Sequence, residues 1–314
     1  MGDTTHWREQ REGGGRFALR LILALALHGG RRFARLLLYP ITLYYFLRRG
    51  AERRASRQYL ARALGRPPGV WAMLRQFHGY AATTLDRVFL LVRGERGFHI
   101  EVEGLAELER RLDEGRGVLL IGSHQGSFEA LRAVSTRHPS AQLRVVLDKG
   151  KTPIMTELLE ALAPDVGKAV IDASRGGAHV VLAAAEACRQ GAMVALLADR
   201  AGEHEAQRSV DFLGAPAPLP VGPWLLANAL QVPVLLCFGL YLGGNRYRLV
   251  FEPFADPVAI PRDQRGPALD VLLARYAARL EHYVRVVPYN WFNFHDFWAA
   301  GESADPGVTP NRAA

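Results

Sequence analysis

The sequence predicts an α/β protein with a mostly parallel sheet flanked by helices, preceded by an N-terminal hydrophobic helical membrane anchor. Three observations carry that reading. From Phe98 onward, short apolar runs alternate with amphipathic segments of helical period. Glycine or polar residues close the apolar runs, as in Gly122-Ser123 and Ala198-Asp199. Before Phe98 the pattern is different in kind: a long apolar stretch interrupted by arginines, then helical periods without strand-like runs.

In chain order, residues 1–16 are polar and glycine-rich and read as a disordered tail. Residues 17–95 form the anchoring helical region. Phe17 to Leu47 holds two apolar runs, broken at His28-Gly29-Gly30-Arg31-Arg32 and again at Arg35. The clean run Leu36–Leu47 has 12 residues, or 15 if counted from Phe33 with Arg35 snorkelling toward headgroups. A bilayer span needs roughly 20. Arg48, Arg49, Arg53, Arg54 and Arg57 follow, a cluster that stays on the cytoplasmic side and attracts anionic lipid. With no convincing cleavage site, the stretch reads as an uncleaved anchor, interfacial or re-entrant, with a single tilted span as a further form. A buried hairpin of core helices is the alternative. Helical periods over 52–64 and 70–92 are separated by Gly65-Arg66-Pro67-Pro68-Gly69.

Residues 96–300 form the α/β domain. Expected strands are His99–Val102, Val118–Ile121, Leu143–Leu147, Ala169–Ile171, Met193–Leu197, Val232–Leu236 and Tyr247–Phe251. Helices are expected over 104–114, 127–137, 152–162, 175–190, 222–230 and Gln264–Val286. Residues 301–314 read as a second loose tail.

Composition narrows the function classes. The 314 residues carry a net charge of +8, almost all from arginine; the lysines are Lys149, Lys151 and Lys168. A basic surface suits anionic lipid or an acidic carrier protein. No RNP-like motif, zinc-finger spacing or basic-aromatic repeat accompanies it, which disfavours nucleic acid. Cys188 and Cys237 sit in apolar surroundings and read as small core residues. No histidine cluster has zinc spacing, so no metal site is expected. Walker A and Gly-x-Gly-x-x-Gly loops are lacking, and Ser123 is one place early for a nucleophile elbow.

The strongest chemical signal is Gly122-Ser123-His124-Gln125-Gly126-Ser127-Phe128-Glu129, at the end of a buried-type strand. Histidine at a strand mouth, with a carboxylate five residues on, offers a general base and a partner. The spacing is weak by itself: with 10 histidines and 31 acidic residues, roughly one such pair is expected by chance. On one helix, five residues turn about 500° and leave the side chains about 140° apart. His124 and Glu129 can therefore meet only if a break at Gly126-Ser127 starts the helix, with Ser127 as N-cap. The plain alternative is a loop histidine and a glutamate favoured by the helix dipole.

Other strand ends carry weaker signals. Arg175, before Gly176-Gly177, suits a phosphate or an oxyanion, or simply starts a helix. Asp199-Arg200 would line the same rim, or form a structural ion pair. Phe212, Leu213 and Trp224 suit an acyl groove or the core. The aromatic run Tyr289–Trp298 fits either a membrane-interface belt or a packing clasp. His295 and Asp296 are adjacent, a poor geometry for a mutual dyad.

Taken in order over roughly residues 17–298, these blocks resemble the bacterial lipid A biosynthesis acyltransferases (the lauroyl and myristoyl transferases). More broadly, they resemble glycerolipid acyltransferases with a His-x4-Asp/Glu motif. The matching pieces are the apolar anchor with its arginines, Gly-Ser-His124-x4-Glu129, Arg175, Gly191-Ala192-Met193-Val194, Asp199, Asp211-Phe212-Leu213-Gly214 and Val232-Pro233-Val234. One departure stands out. After the final proline the family has tryptophan, histidine and basic residues; here Asn293, His295 and Asp296-Phe297 follow Pro288. That tail is similar to members placed in pigment-lipid (aryl polyene or xanthomonadin-type) pathways.

The resemblance implies a glycerolipid-acyltransferase-like fold. It also implies acyl transfer from acyl carrier protein or acyl-CoA to a hydroxyl of a lipid or glycolipid, such as a lipid A precursor. His124 would be the base and Glu129 the carboxylate that fixes its tautomer. Arg175 or N–H groups near Gly126 would serve the oxyanion, with Arg175 alternatively on a phosphate. No cofactor is implied, and the place of work is the cytoplasmic face of the inner membrane. An acyltransferase-fold hydrolase or thioesterase, and a non-catalytic assembly protein, are the competing readings.

Overall fold

The computed structural model describes residues 16–131, 142–150, 167, 169–201 and 205–298. Three helices come first: α1 (Arg16–Arg48), α2 (Gly50–Leu64) and α3 (Val70–Arg93). The sheet domain follows as β1 (His99–Glu103), α4 (Leu105–Asp113), β2 (Val118–Gly122), a 3₁₀ turn (Phe128–Leu131), β3 (Leu143–Leu147) and β4 (Val170–Asp172). It continues through a 3₁₀ turn (Ala173–Arg175), α5 (Gly177–Arg189), β5 (Met193–Leu197), β6 (Gln207–Phe212) and β7 (Ala215–Pro220). It closes with α6 (Gly222–Leu230), β8 (Val234–Gly243), β9 (Arg246–Ala255) and α7 (Arg265–Val286).

Seven strands make one sheet in the order β1-β9-β8-β2-β5-β3-β4. All its pairings are parallel except β8 with β9. The fold class expected from sequence is therefore observed as a mixed, mostly parallel sheet flanked by helices. β2 lies between β8 and β5, and all five of its residues are buried. That is why it reads as a continuous apolar run rather than an alternating one. The antiparallel pair is a hairpin closed at Gly244-Asn245. β6 and β7 form a separate antiparallel ribbon, with prolines at 216, 218 and 220. Proline is tolerated there because a two-stranded ribbon has only edges.

The N-terminal helices are built into this body. α1 kinks at Gly30 (φ 74°, ψ 165°), within the break expected from sequence. Beyond the kink, Ala34, Leu38, Thr42 and Phe46 are buried at four-residue intervals, the spacing of one helix face. Arg31 donates to both carboxylate oxygens of the fully buried Asp86 on α3, at 2.7 and 2.8 Å. Arg35 adds a third contact at 2.9 Å, and the Tyr247 hydroxyl a fourth at 2.9 Å. Arg35 therefore does not snorkel: it pairs inside the protein, because a buried carboxylate needs a charged partner. The tilted-span expectation is also corrected. No helix among the described residues is long and apolar enough to cross a membrane. Of the basic cluster, Arg53 donates to the Phe46 and Leu47 carbonyls at the end of α1, and Arg49 pairs with Glu52. Arg48, Arg54 and Arg57 remain exposed.

Cys188 and Cys237 are free and buried, as core residues should be; burial pushes their thiols up to about 11 and about 12.

Candidate active site

Parallel pairing of β2 with β5 sets Gly122 opposite Leu197. Two residues beyond each strand end stand His124 and Asp199. Their backbones thus leave the sheet side by side at its C-terminal edge, where open α/β sheets bind ligands. Asp199 is fully buried. One of its oxygens, Oδ1, accepts from the His124 backbone N–H at 3.0 Å and from His124 Nδ1 at 2.8 Å. Oδ2 accepts from the indole N–H of Trp291 at 2.8 Å, and Arg200 Nε stands 4.0 Å away.

These contacts fix the protonation states. Burial alone would raise the Asp199 carboxyl, but His124, Arg200 and Trp291 together hold it well below the usual carboxylate range. An ionised carboxylate only accepts, so His124 carries its proton on Nδ1 and keeps a lone pair on Nε2. Among the described residues no hydrogen bond engages Nε2, and the side chain is 40% exposed. The crowded surroundings and the positive charge of Arg200 lower the His124 pKa despite the opposing pull of Asp199; Arg87 adds to the lowering. The arrangement is a neutral imidazole held in one tautomer, open at the mouth of a strand. It can take a proton from an incoming hydroxyl.

A pH profile follows from the sign of that shift. Because protonation is disfavoured, the neutral base persists below the ordinary histidine value of about 6.5. The acid limb of kcat/KM for a reaction that needs His124 as base is expected below that value, with activity rising through it as pH increases. A limb above it would contradict the assigned environment of His124.

The loop is held by close backbone approach. Gly126 has φ 64°, and a Cβ there would lie 1.8 Å from the Gly239 carbonyl oxygen. Its N–H donates to Asn290 O at 2.9 Å, and the Ser127 N–H donates to Gly239 O at 2.8 Å. The oxyanion role expected for N–H groups near Gly126 is not available to these two, since both are already bonded.

Glu129 sits elsewhere than expected. Its carboxylate lies 2.6 Å from Arg87 of α3 and accepts from the Ser127 hydroxyl at 3.0 Å. The Ser127 hydroxyl thus serves Glu129, and His124 takes Asp199, not Glu129, as its partner. The described segment after the break is the short 3₁₀ turn; the rest of the expected helix 127–137 and the whole of 152–162 lie outside the described residues.

Arg175 is exposed and follows β4, three strand positions from β2. At the usual strand spacing that is about 14 Å along the same edge. Among the described residues no hydrogen bond or ion pair joins Arg175 to His124, though both stand on the same rim. Arg200 donates to Phe292 O at 2.6 Å and borders the histidine. Phe212, Leu213 and Trp224 are buried in the core, Phe212 against Trp291 and Trp224 against Phe254 and Tyr276. Among the described residues all three are closed off from solvent, as core residues are. Among the described residues, no group of three or more His, Cys, Asp or Glu side chains could hold a metal ion.

The aromatic tail is a clasp. Phe292 N donates to His124 O at 3.1 Å, Gln125 pairs with Trp291 in an isolated bridge, and the Asn290 amide spans the N–H and carbonyl of Tyr241. Sequence reasoning missed Trp291 as a site residue and undervalued Asp199. For Asp199 a signal existed: like His124, it stands within three residues of the end of an apolar, strand-like run.

No curated protein matches the chain in sequence. The model of the bacterial lipid A biosynthesis acyltransferase family matches residues 70–300, a stretch holding His124, Asp199 and the whole sheet. The chain belongs to the bacterial lipid A biosynthesis acyltransferase family.

Proposed function

We propose that this acyltransferase moves a fatty acyl chain from an acyl thioester, carried by acyl carrier protein or coenzyme A, to a hydroxyl of a lipid or glycolipid such as a lipid A precursor. The observation that carries the reading is the open Nε2 of His124, whose tautomer is fixed by the buried Asp199. Nε2 takes the proton of the acceptor hydroxyl as its oxygen attacks the thioester carbonyl. The tetrahedral intermediate then collapses, the C–S bond breaks, and the imidazolium returns the proton to the departing thiolate. An ester and a free thiol result, without an acyl-enzyme. Arg87 and Arg200 supply positive charge beside His124 for the developing oxyanion.

Purified protein given acyl carrier protein or coenzyme A thioesters and a lipid acceptor should release free thiol and acylated lipid in equal amounts. Free fatty acid in place of acylated lipid would identify a hydrolase instead.

The surface supports action at the cytoplasmic face of the inner membrane. Opposite its buried face, α1 exposes Phe33, Leu36, Tyr39, Leu43, Tyr44 and Leu47, and Trp71 at the start of α3 is 84% exposed. Aromatic and aliphatic side chains beside exposed arginines suit an anionic lipid interface. Leu36→Glu with Leu47→Glu should weaken sedimentation with phosphatidylglycerol vesicles about tenfold or more, given the apolar burial removed. Unchanged binding would remove α1 from the interface.

A further inference from the structure

We propose that Trp291 is a positioning residue for the transfer reaction, its indole N–H clamping the far oxygen of Asp199 so that the near oxygen stays on His124. The proposal rests on the reading of His124 as the base, and it adds a residue that neither composition nor spacing marked.

A carboxylate on a short side chain turns about its terminal bond. Asp199 Oδ1 can meet the His124 backbone N–H and Nδ1 together only in one orientation. What holds that orientation is the opposite oxygen. Among the described residues Oδ2 has one hydrogen bond, from Trp291 Nε1 at 2.8 Å; Arg200 Nε, at 4.0 Å, is beyond hydrogen-bond reach. An indole N–H only donates and has no acid–base role near neutral pH, so it orients the carboxylate without competing for the transferred proton.

Trp291 is itself fixed. It is fully buried, with ring contacts to Tyr59 at 5.0 Å, Phe297 at 5.0 Å and Phe212 at 5.3 Å. Its carbonyl accepts from Gln76 Nε2 at 2.8 Å, and Gln76 Oε1 accepts from the Ser56 hydroxyl at 2.5 Å. The Tyr59 hydroxyl donates to Pro288 O at 2.6 Å. Helices α2 and α3 thereby hold the C-terminal clasp, and the clasp holds the dyad. The aromatic tail and the N-terminal helices thus act on one group, the carboxylate behind the base.

The test separates the N–H from the ring. Trp291→Phe removes the donor and some volume. Benzothienylalanine placed at position 291 by nonsense suppression keeps the bicyclic shape and replaces N–H with sulfur. Steady-state transfer is measured for both, and the His124 tautomer is read from its ring ¹⁵N shifts. The expected result is a kcat lower by about 10- to 100-fold, as for losing a hydrogen bond to a charged group, with KM within about twofold. The His124 ring should move from the Nδ1–H tautomer toward a mixture with Nε2–H. If the benzothienyl protein keeps wild-type kcat and the wild-type ¹⁵N pattern, Trp291 is packing alone and the proposal is overturned. Should Trp291→Phe fail to fold, the benzothienyl protein decides. Full activity in His124→Ala together with a tautomer shift on losing the indole N–H would sink the base assignment while leaving the clamp standing.

Discussion

His124→Ala is expected to lower acyl transfer by about 10²–10⁴-fold, the range over which a positioned general base acts. The loss should fall on kcat and kcat/KM together, because proton removal matters only as the hydroxyl attacks. Binding of the acyl thioester and of the membrane should persist. Neither the helices that pack α1 onto α3 nor the clasp depends on the imidazole ring; the clasp bonds the His124 carbonyl, which alanine keeps. A variant that is inactive because it unfolds would be exposed by a lost thermal transition. Activity within a few-fold of wild type would remove His124 from the reaction.

Asp199→Asn is expected to be comparably damaging, about 10³–10⁴-fold in kcat by analogy with the buried aspartate of a catalytic triad. Three donors converge on this carboxylate: the His124 backbone N–H, His124 Nδ1 and Trp291 Nε1. An amide offers one acceptor oxygen and turns an NH₂ toward one of those donors. His124 is then driven toward the tautomer with its proton on Nε2, which cannot accept one from a hydroxyl. Glu129→Gln is the matched comparison. Its carboxylate serves Arg87 and Ser127, so the expected cost is about tenfold, through loosening of a charged hydrogen bond near the site. Equal losses from the two substitutions would mean that Glu129 reaches His124 during turnover, and would displace Asp199 as sole partner.

Much of the fold was legible because its central strands, β2 and β5, are buried almost throughout. Met193–Leu197 was bounded correctly as a continuous apolar run, and Leu143–Leu147 as an apolar run interrupted only by Arg144. The β6–β7 ribbon was not, because Ala215–Pro220 carries a proline at every second position and reads as a turn. β8 runs on through Gly243, beyond the expected Leu236, because its antiparallel partner β9 extends the ladder after the parallel neighbour β2 has ended.

The site divides the same way. His124 was legible from a strand that ends in Gly-Ser. Its partner was misread because spacing along the chain favours Glu129, five residues away, over Asp199, 75 residues away. Only the order of strands, with β5 beside β2, shows which carboxylate the ring meets. Arg35 shows the opposite error. A charge within an apolar run suggested a headgroup contact, whereas a buried Asp86 from another helix claims it.

The measurement that bears most directly on this account is lipid mass spectrometry of cells carrying either the wild-type protein or His124→Ala, both present at equal levels. A lipid that is one fatty acyl unit lighter in the variant is the predicted result, and its mass would name the acceptor. Identical lipid profiles in the two cells would contradict acyl transfer at His124.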